Sequence, residues 1–272
     1  MRVRTVGAVL SLVAVLAGGR IVAAMRSTTD ADAGVASMVS GAVGQPGDSG
    51  TGRLSVAVRD LDTGVTGRYS TADGHRFVTA SIVKVDILVT LLLRAQEQHR
   101  PLTDRERRLA GVMIQDSDND AASTLWSELG AAAVTRTHRT LGLRSTTVGA
   151  GTAWGLTTTT ADDQLRLLAA IMTPHSPLTD SSRQYAVSLM RAVRADQQWG
   201  VSAAADPGTV SGLKNGWLPR SDDGLWVINS VGEVRHDGHR LLIAVLSDGQ
   251  PSQQTGISLV ETAARAAAEA VD

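Results

Sequence analysis

Apolar residues alternate with polar ones near both ends of this chain and recur at helical spacing between, and that order restricts the fold more than any other feature. Arg53 to Asp60 alternates through Leu54, Val56 and Val58, Asp62-Thr63-Gly64 reads as a turn, and Val65 to Tyr69 alternates again. This is a β-hairpin. From Thr209 onward the period returns to two, in Leu225 to Val234 and Arg240 to Leu246 around His236-Asp237-Gly238, before a closing helix from Ile257 to Ala270. The middle is helical: Ser81 to Gln98, a second helix opened by the capping box Thr103-Asp104-Arg105-Glu106 and running to Gln115, then Ala121 to Leu129, Ala131 to Leu141, Asp162 to Met172 and Ser181 to Arg194. Gly142 to Thr160 reads as loop. The expected class is α/β, an α+β sandwich. Its antiparallel sheet is formed by the N- and C-terminal segments and flanked by helices, with an all-helical lobe inserted over about residues 85–205 and a cleft between.

Residues 53–272 are expected to form one domain, and 25–52, rich in small and polar residues, a linker with a short first helix around Ala36 to Val43. Ahead of them, Arg2 and Arg4 precede an apolar run from Val6 to Gly19, and Val22-Ala23-Ala24 has the small-residue spacing of a signal-peptidase site. Residues 1–24 are read as a signal peptide for export, with an uncleaved N-terminal anchor as the alternative. Any membrane attachment is expected through this segment alone. The absence of cysteine excludes disulfides, thiolate metal sites and lipidation of a cysteine within this sequence. A net charge of −1 without a basic block argues against nucleic acid as a partner. No metal or cofactor is expected, and the protein is read as a monomer.

Ser81-Ile82-Val83-Lys84 opens the first middle helix, and residues three apart on a helix share a face. A serine hydroxyl is a poor nucleophile until a neighbour takes its proton, and a buried lysine near a second cation can do so. The chain holds 26 Lys plus Arg, of which only Lys84 and Lys214 are lysine. Arginine does not deprotonate in proteins, so a chain that otherwise uses arginine and keeps lysine twice marks those two positions as candidates for one site.

Three motifs in order, Ser81-Ile82-Val83-Lys84, Ser117-Asp118-Asn119 and Lys214-Asn215-Gly216 before a strand, make the sequence resemble the penicillin-recognising serine enzymes, and most closely class A β-lactamases. The resemblance runs from about Arg53 to the C-terminus and implies a β-lactamase and transpeptidase-like fold. It implies Ser81 as nucleophile, Lys84 as the group that accepts or relays its proton, and Ser117 bridging Lys84 and Lys214 to carry a proton to the leaving nitrogen. Lys214 would hold positive potential. Asn119 would bind the substrate's amide side chain, Asn215 would donate to a substrate carboxylate, and the N–H groups of Ser81 and Trp217, flanking Gly216, would form the oxyanion hole. Asp118 is read as structural. His138 and His175 receive no role, since no acidic residue is placed to orient them.

Three departures bear on activity. The family's deacylating glutamate has no counterpart, because no Asp or Glu occurs from Gly130 to Ala161. Asn215 and Trp217 replace a hydroxyl-bearing and a small residue, and the Ser81 to Ser117 interval is short. The expectation is an exported serine acyl-enzyme hydrolase, secreted or held in the cell envelope, acting on a β-lactam or cell-wall peptide with slow deacylation. The alternative is a penicillin-binding or cell-wall-peptide-binding protein of the same fold without efficient turnover.

Overall fold

The computed structural model describes residues 28–44 and 52–271. The expected signal segment, residues 1–24, and residues 25–27 and 45–51 of the expected linker lie outside the described residues.

The N-terminal hairpin, β1 (Arg53–Asp60) and β2 (Thr66–Ser70), joins three C-terminal strands, β5 (Gly212–Pro219), β6 (Trp226–His236) and β7 (His239–Gln250). They form one antiparallel sheet in the order β2-β1-β7-β6-β5. Val56 pairs with Tyr69 on one side and with Val245 on the other, so β1 fastens the start of the domain to its end. A second ladder of two residues each joins β3 (Phe77–Val78) to β4 (Thr158–Thr159), and sequence periodicity cannot reveal strands that short.

Helices α1 (Thr28–Val43) and α8 (Gln253–Val271) pack on each other; α1 also packs on β2, and α8 on β1, β6 and β7. Val35 and Val39 are fully buried in this layer. The patch expected at Ala36 to Val43 is thus the second half of a 16-residue helix whose first half, Ala- and Asp-rich, carries little periodic signal. Close approach is specified at Gly67 of β2, where a Cβ would lie 2.4 Å from Val35 Cγ2 and 2.9 Å from the Ala31 carbonyl.

The inserted lobe contains α2 (Val83–Glu97), α3 (Asp104–Gln115), α4 (Asn119–Leu129), α5 (Ala131–Leu141), α6 (Ala161–Met172) and α7 (Asp180–Arg191). Eleven residues of α2 are buried, which makes it the helix around which the lobe is packed. The capping box at Thr103 and Glu106 forms as the sequence requires. Two boundaries differ from expectation. Ser81 lies in a single 3₁₀ turn, Ala80–Ile82, ahead of α2, and the segment after Arg191 breaks into 3₁₀ turns at Ala195–Gln197 and Gly200–Ala204. Among the described residues, no helix is long and apolar enough to cross a membrane.

Candidate active site

Ser81 is held from both lobes of the fold. Thr79 N–H donates to the Thr157 carbonyl at 2.8 Å, while the side-chain amide of Asn229, on β6, donates to the carbonyls of Val78 (2.9 Å) and Thr79 (3.0 Å). Pinned this way, Ala80 takes φ +47°, in a region costly for a residue with a Cβ. The turn then presents Ser81 half-buried at the start of α2. Across from it runs β5, where a Cβ built on Gly216 would lie 2.7 Å from the Thr79 carbonyl oxygen and 2.8 Å from the amide nitrogens of both Ser81 and Ile82. Only glycine lets the strand approach the Ser81 backbone this closely.

Both lysines converge on Ser117. Lys84 Nζ donates to Ser117 O (2.6 Å), Ser117 Oγ (3.1 Å) and Asn119 Oδ1 (2.8 Å). Lys214 Nζ donates to the same Ser117 Oγ at 2.9 Å and to the Asn215 carbonyl at 2.8 Å. Lys84's three donors are therefore taken by Ser117 and Asn119, and none goes to Ser81, three residues earlier in the chain. Ser117 reaches this position with φ +55°, between the last turn of α3 and Asp118, whose side chain caps α4 by accepting from Ala121 N–H at 2.7 Å. Asp118, read from the sequence as structural, is half-buried and serves as the helix cap.

Burial dominates the electrostatics. Desolvation pushes the Lys84 ammonium down to about 8, partly opposed by the nearby Asp118 carboxylate. Lys214 is fully buried and is driven well below the ordinary lysine range, first by desolvation and then by the Lys84 charge. An amine lowered in this way can hold a lone pair near neutral pH, which proton abstraction from a hydroxyl requires.

Trp217 is half-buried beside Gly216, whereas Asn215 departs from its expected role. Its side chain is fully buried and Nδ2 donates both hydrogens to backbone, to Gln197 O at 2.7 Å and Trp199 O at 2.9 Å. The amide pins the 195–204 segment against β5 and has no hydrogen left for a substrate. His138 also needs correction. Its Nε2 lies 2.7 Å from Asp86 Oδ1, and both side chains are buried. The partners are 52 residues apart, on α5 and α2, so helix packing alone brings them together.

Trp154 is the residue that motif reasoning missed. Lys84 Nζ sits 5.1 Å from the centre of its ring, and its Nε1 donates to Ser123 Oγ at 3.1 Å. Its loop is tied down by Trp126, whose Nε1 donates to the Gly151 carbonyl at 2.9 Å. The available signal was a lone aromatic residue in a run of Gly, Ala and Thr. The loop expected to carry a deacylating glutamate instead lays an indole against the lysine.

A model of the β-lactamase enzyme family matches residues 105–271, more than half of the chain. The chain belongs to the β-lactamase enzyme family. The matched stretch contains Ser117 and Lys214 and begins after Ser81 and Lys84. Solved structures extend the likeness to nearly the whole fold. A class A β-lactamase from Bacteroides cellulosilyticus superposes with TM-score 0.74 at 15% identity, over 89% of this chain and 98% of that one. The TLA-1 extended-spectrum β-lactamase gives 0.76 at 15%, over 89% and 99%. A point mutant of PBP-A, solved as an acyl-enzyme complex with penicillin G, gives 0.72 at 21%, over 89% and 96%. At these identities the likeness is one of fold, and the antiparallel sheet with its inserted helical lobe is that of the β-lactamases. Among curated sequences, proteins of Mycobacterium tuberculosis and Mycobacterium bovis that bear the name lipoprotein LppW are 38% identical over 114 residues. That match spans 42% of this chain and 36% of theirs.

Proposed function

We propose that this member of the β-lactamase family is an extracytoplasmic serine hydrolase that forms an acyl-enzyme on Ser81, with a β-lactam or a related amide or peptide as substrate and slow deacylation. The observation that carries the reading is the single hydroxyl, Ser117 Oγ, bonded to both lysines of the chain at 3.1 and 2.9 Å. Because that oxygen accepts from both amines, its own hydrogen is free to point into the cleft. On losing a proton, Lys84 gives up one of its three hydrogen bonds to Ser117 and Asn119, and the lone pair so freed takes the Ser81 proton as Oγ attacks the carbonyl carbon. The Ser81 and Trp217 N–H groups receive the oxyanion, and Ser117 passes a proton to the leaving nitrogen as the C–N bond breaks. Asn119, holding Lys84 through Oδ1, turns its amide nitrogen to the substrate.

Hydrolysing the resulting ester needs a water and a base. No carboxylate lies between Gly130 and Ala161, and the Trp154 indole occupies the flank of Lys84. A missing general base costs about two to four orders of magnitude in rate. The PBP-A likeness supports the reading, since a point mutant of that protein was solved as an acyl-enzyme with penicillin G. Export is supported by the N-terminal segment and by the lipoprotein name of the mycobacterial relatives. With no cysteine in these 272 residues, attachment within them would fall to the apolar N-terminal run.

Stopped-flow hydrolysis of a chromogenic cephalosporin tests the proposal. A burst approaching one equivalent followed by slow turnover is expected. Steady turnover without a burst, at the rate of an efficient β-lactamase, would mean that another residue supplies the base.

A further inference from the structure

Ser117 is held in place by more than the two lysines. Helix α3 ends at Gln115, and carbonyls at the end of a helix need donors from outside it. Three in a row find them. Gln115 O accepts from Arg194 N–H at 3.1 Å, Asp116 O from Gln197 Nε2 at 3.1 Å, and Ser117 O from Lys84 Nζ at 2.6 Å. The exposed ion pair of Arg194 with Asp116, at 3.7 Å, adds little to this hold. Ser117 needs it, because φ +55° is costly for a residue with a Cβ and persists only where the surroundings fix it.

Two of the three donors come from residues 194–197, and that segment is in turn fixed to the sheet. Asn215 Nδ2 donates to the Gln197 and Trp199 carbonyls at 2.7 and 2.9 Å, and Val201 N–H donates to Ser230 Oγ, on β6, at 2.9 Å. A chain of hydrogen bonds therefore runs from β5, which carries Lys214, through Gln197 to the carbonyl one residue before Ser117. The third donor is Lys84 itself, which gives up a hydrogen bond when it acts as a base. What holds the turn regardless of the state of Lys84 is the 194–197 segment, and Gln197 supplies the one side-chain donor in it.

Resting on the Ser81 reading, we infer that Gln197 is a positioning residue for the proton relay: its amide, tied to β5 through Asn215, keeps the Ser117 hydroxyl between the two lysines and directed at the leaving nitrogen during acylation. In that step the bond from Ser81 Oγ to the carbonyl carbon forms and the C–N bond breaks. Lys84 takes the Ser81 proton and returns one to Ser117 Oγ, which gives its own to the nitrogen. A leaving group as weakly basic as p-nitrophenolate departs with the electron pair and needs no proton, so the proton stays on Lys84. Removing the Gln197 donor is therefore selective: it slows acylation by amides and spares activated esters.

Gln197→Met keeps the length of the side chain and removes the donor, and it costs no second bond, because Gln197 Oε1 is buried without a hydrogen-bond partner among the described residues. Gln197→Glu, which has no donor when ionised, is the second variant. Thermal unfolding reports the fold, and single-turnover acylation is measured with penicillin G and with p-nitrophenyl phenylacetate, intact mass reporting the adduct. At saturation, acylation by penicillin G should fall at least about tenfold, with the half-saturating concentration changed by less than about twofold, while acylation by the ester stays within about threefold of the wild type. Equal losses on the two compounds, or a loss below about threefold on penicillin G, would overturn the inference while leaving Ser81 as nucleophile. Wild-type labelling by the ester alone would do the same, since no relay to nitrogen would then be at work. Failure of both variants to fold would make Gln197 a residue of the fold alone and also overturn it. A wild type labelled by neither compound would remove the Ser81 reading together with the inference.

Discussion

Replacing Gly216 by alanine adds one methyl group at the point where β5 meets the Ser81 turn. The new Cβ would sit 2.7 Å from the Thr79 carbonyl oxygen and 2.8 Å from the nitrogens of Ser81 and Ile82. Ordinary van der Waals contact begins near 3.4 Å, so three separate backbone atoms are about 0.6 Å too close, and none can rotate aside as a side chain would. The turn cannot retreat freely either, because Asn229 and Thr157 hold Val78 and Thr79 by hydrogen bonds. Overpacking of this kind costs about 1–3 kcal/mol of stability. The larger effect falls on chemistry: a displacement on the order of half to one ångström between Ser81 and the β5 backbone should slow acylation by about 100-fold, equivalent to about 2.7 kcal/mol at the transition state. Thermal unfolding and single-turnover acylation by a chromogenic cephalosporin measure the two parts. Gly41→Ala, on α1 with nothing within 4 Å of the added atom, serves as the matched control and should lose neither stability nor rate. Acylation by Gly216→Ala within about threefold of the wild type would refute the proposed contact between β5 and the nucleophile turn.

Three further outcomes follow from the same structure. Acylation should rise with pH through the region of 8 and then level off, because a lysine pushed down to about 8 becomes a base as it loses its proton; a rate flat from pH 6 to 9.5 would remove Lys84 from that role. Lys84→Arg should lose nearly all acylation although it keeps the charge, and retention of more than about a tenth of the rate would show that charge alone is needed. His138→Ala should cost about 3–5 kcal/mol in urea unfolding, since it strands the Asp86 carboxylate, whose Oδ2 already lacks a hydrogen-bond partner, and a loss below about 1 kcal/mol would show that the pair does not hold α2 to α5.

The parts of this fold that were legible in the sequence are those with a repeating pattern. The alternation in Arg53 to Asp60 and in the two C-terminal strands identified the sheet and its composition from both ends, and the capping box at Thr103 marked the start of α3. The candidate site stood out because three short motifs coincide with both lysines of the chain, and those lysines share Ser117 Oγ. What escaped had no local signature. Neither Ala80 at φ +47° nor the 3₁₀ turn carrying Ser81 follows from local preference, since the segment is held by long-range hydrogen bonds, donated by the Asn229 amide and accepted by the Thr157 carbonyl. Asn215 looked available as a donor because its acceptors, the carbonyls of Gln197 and Trp199, come from a segment of irregular turns that periodicity does not describe. The pairing of Asp86 with His138 and the placement of Trp154 over Lys84 are likewise products of packing between elements distant in sequence.

Intact-mass analysis after incubation with penicillin G tests whether Ser81 becomes acylated with Lys84, Ser117 and Lys214 moving its proton. A one-to-one covalent adduct is expected that peptide mapping places on Ser81, that persists through repeated washing, and that is absent from Ser81→Ala although this variant unfolds at the same temperature. An adduct on any other residue, or one that survives Ser81→Ala, would contradict it.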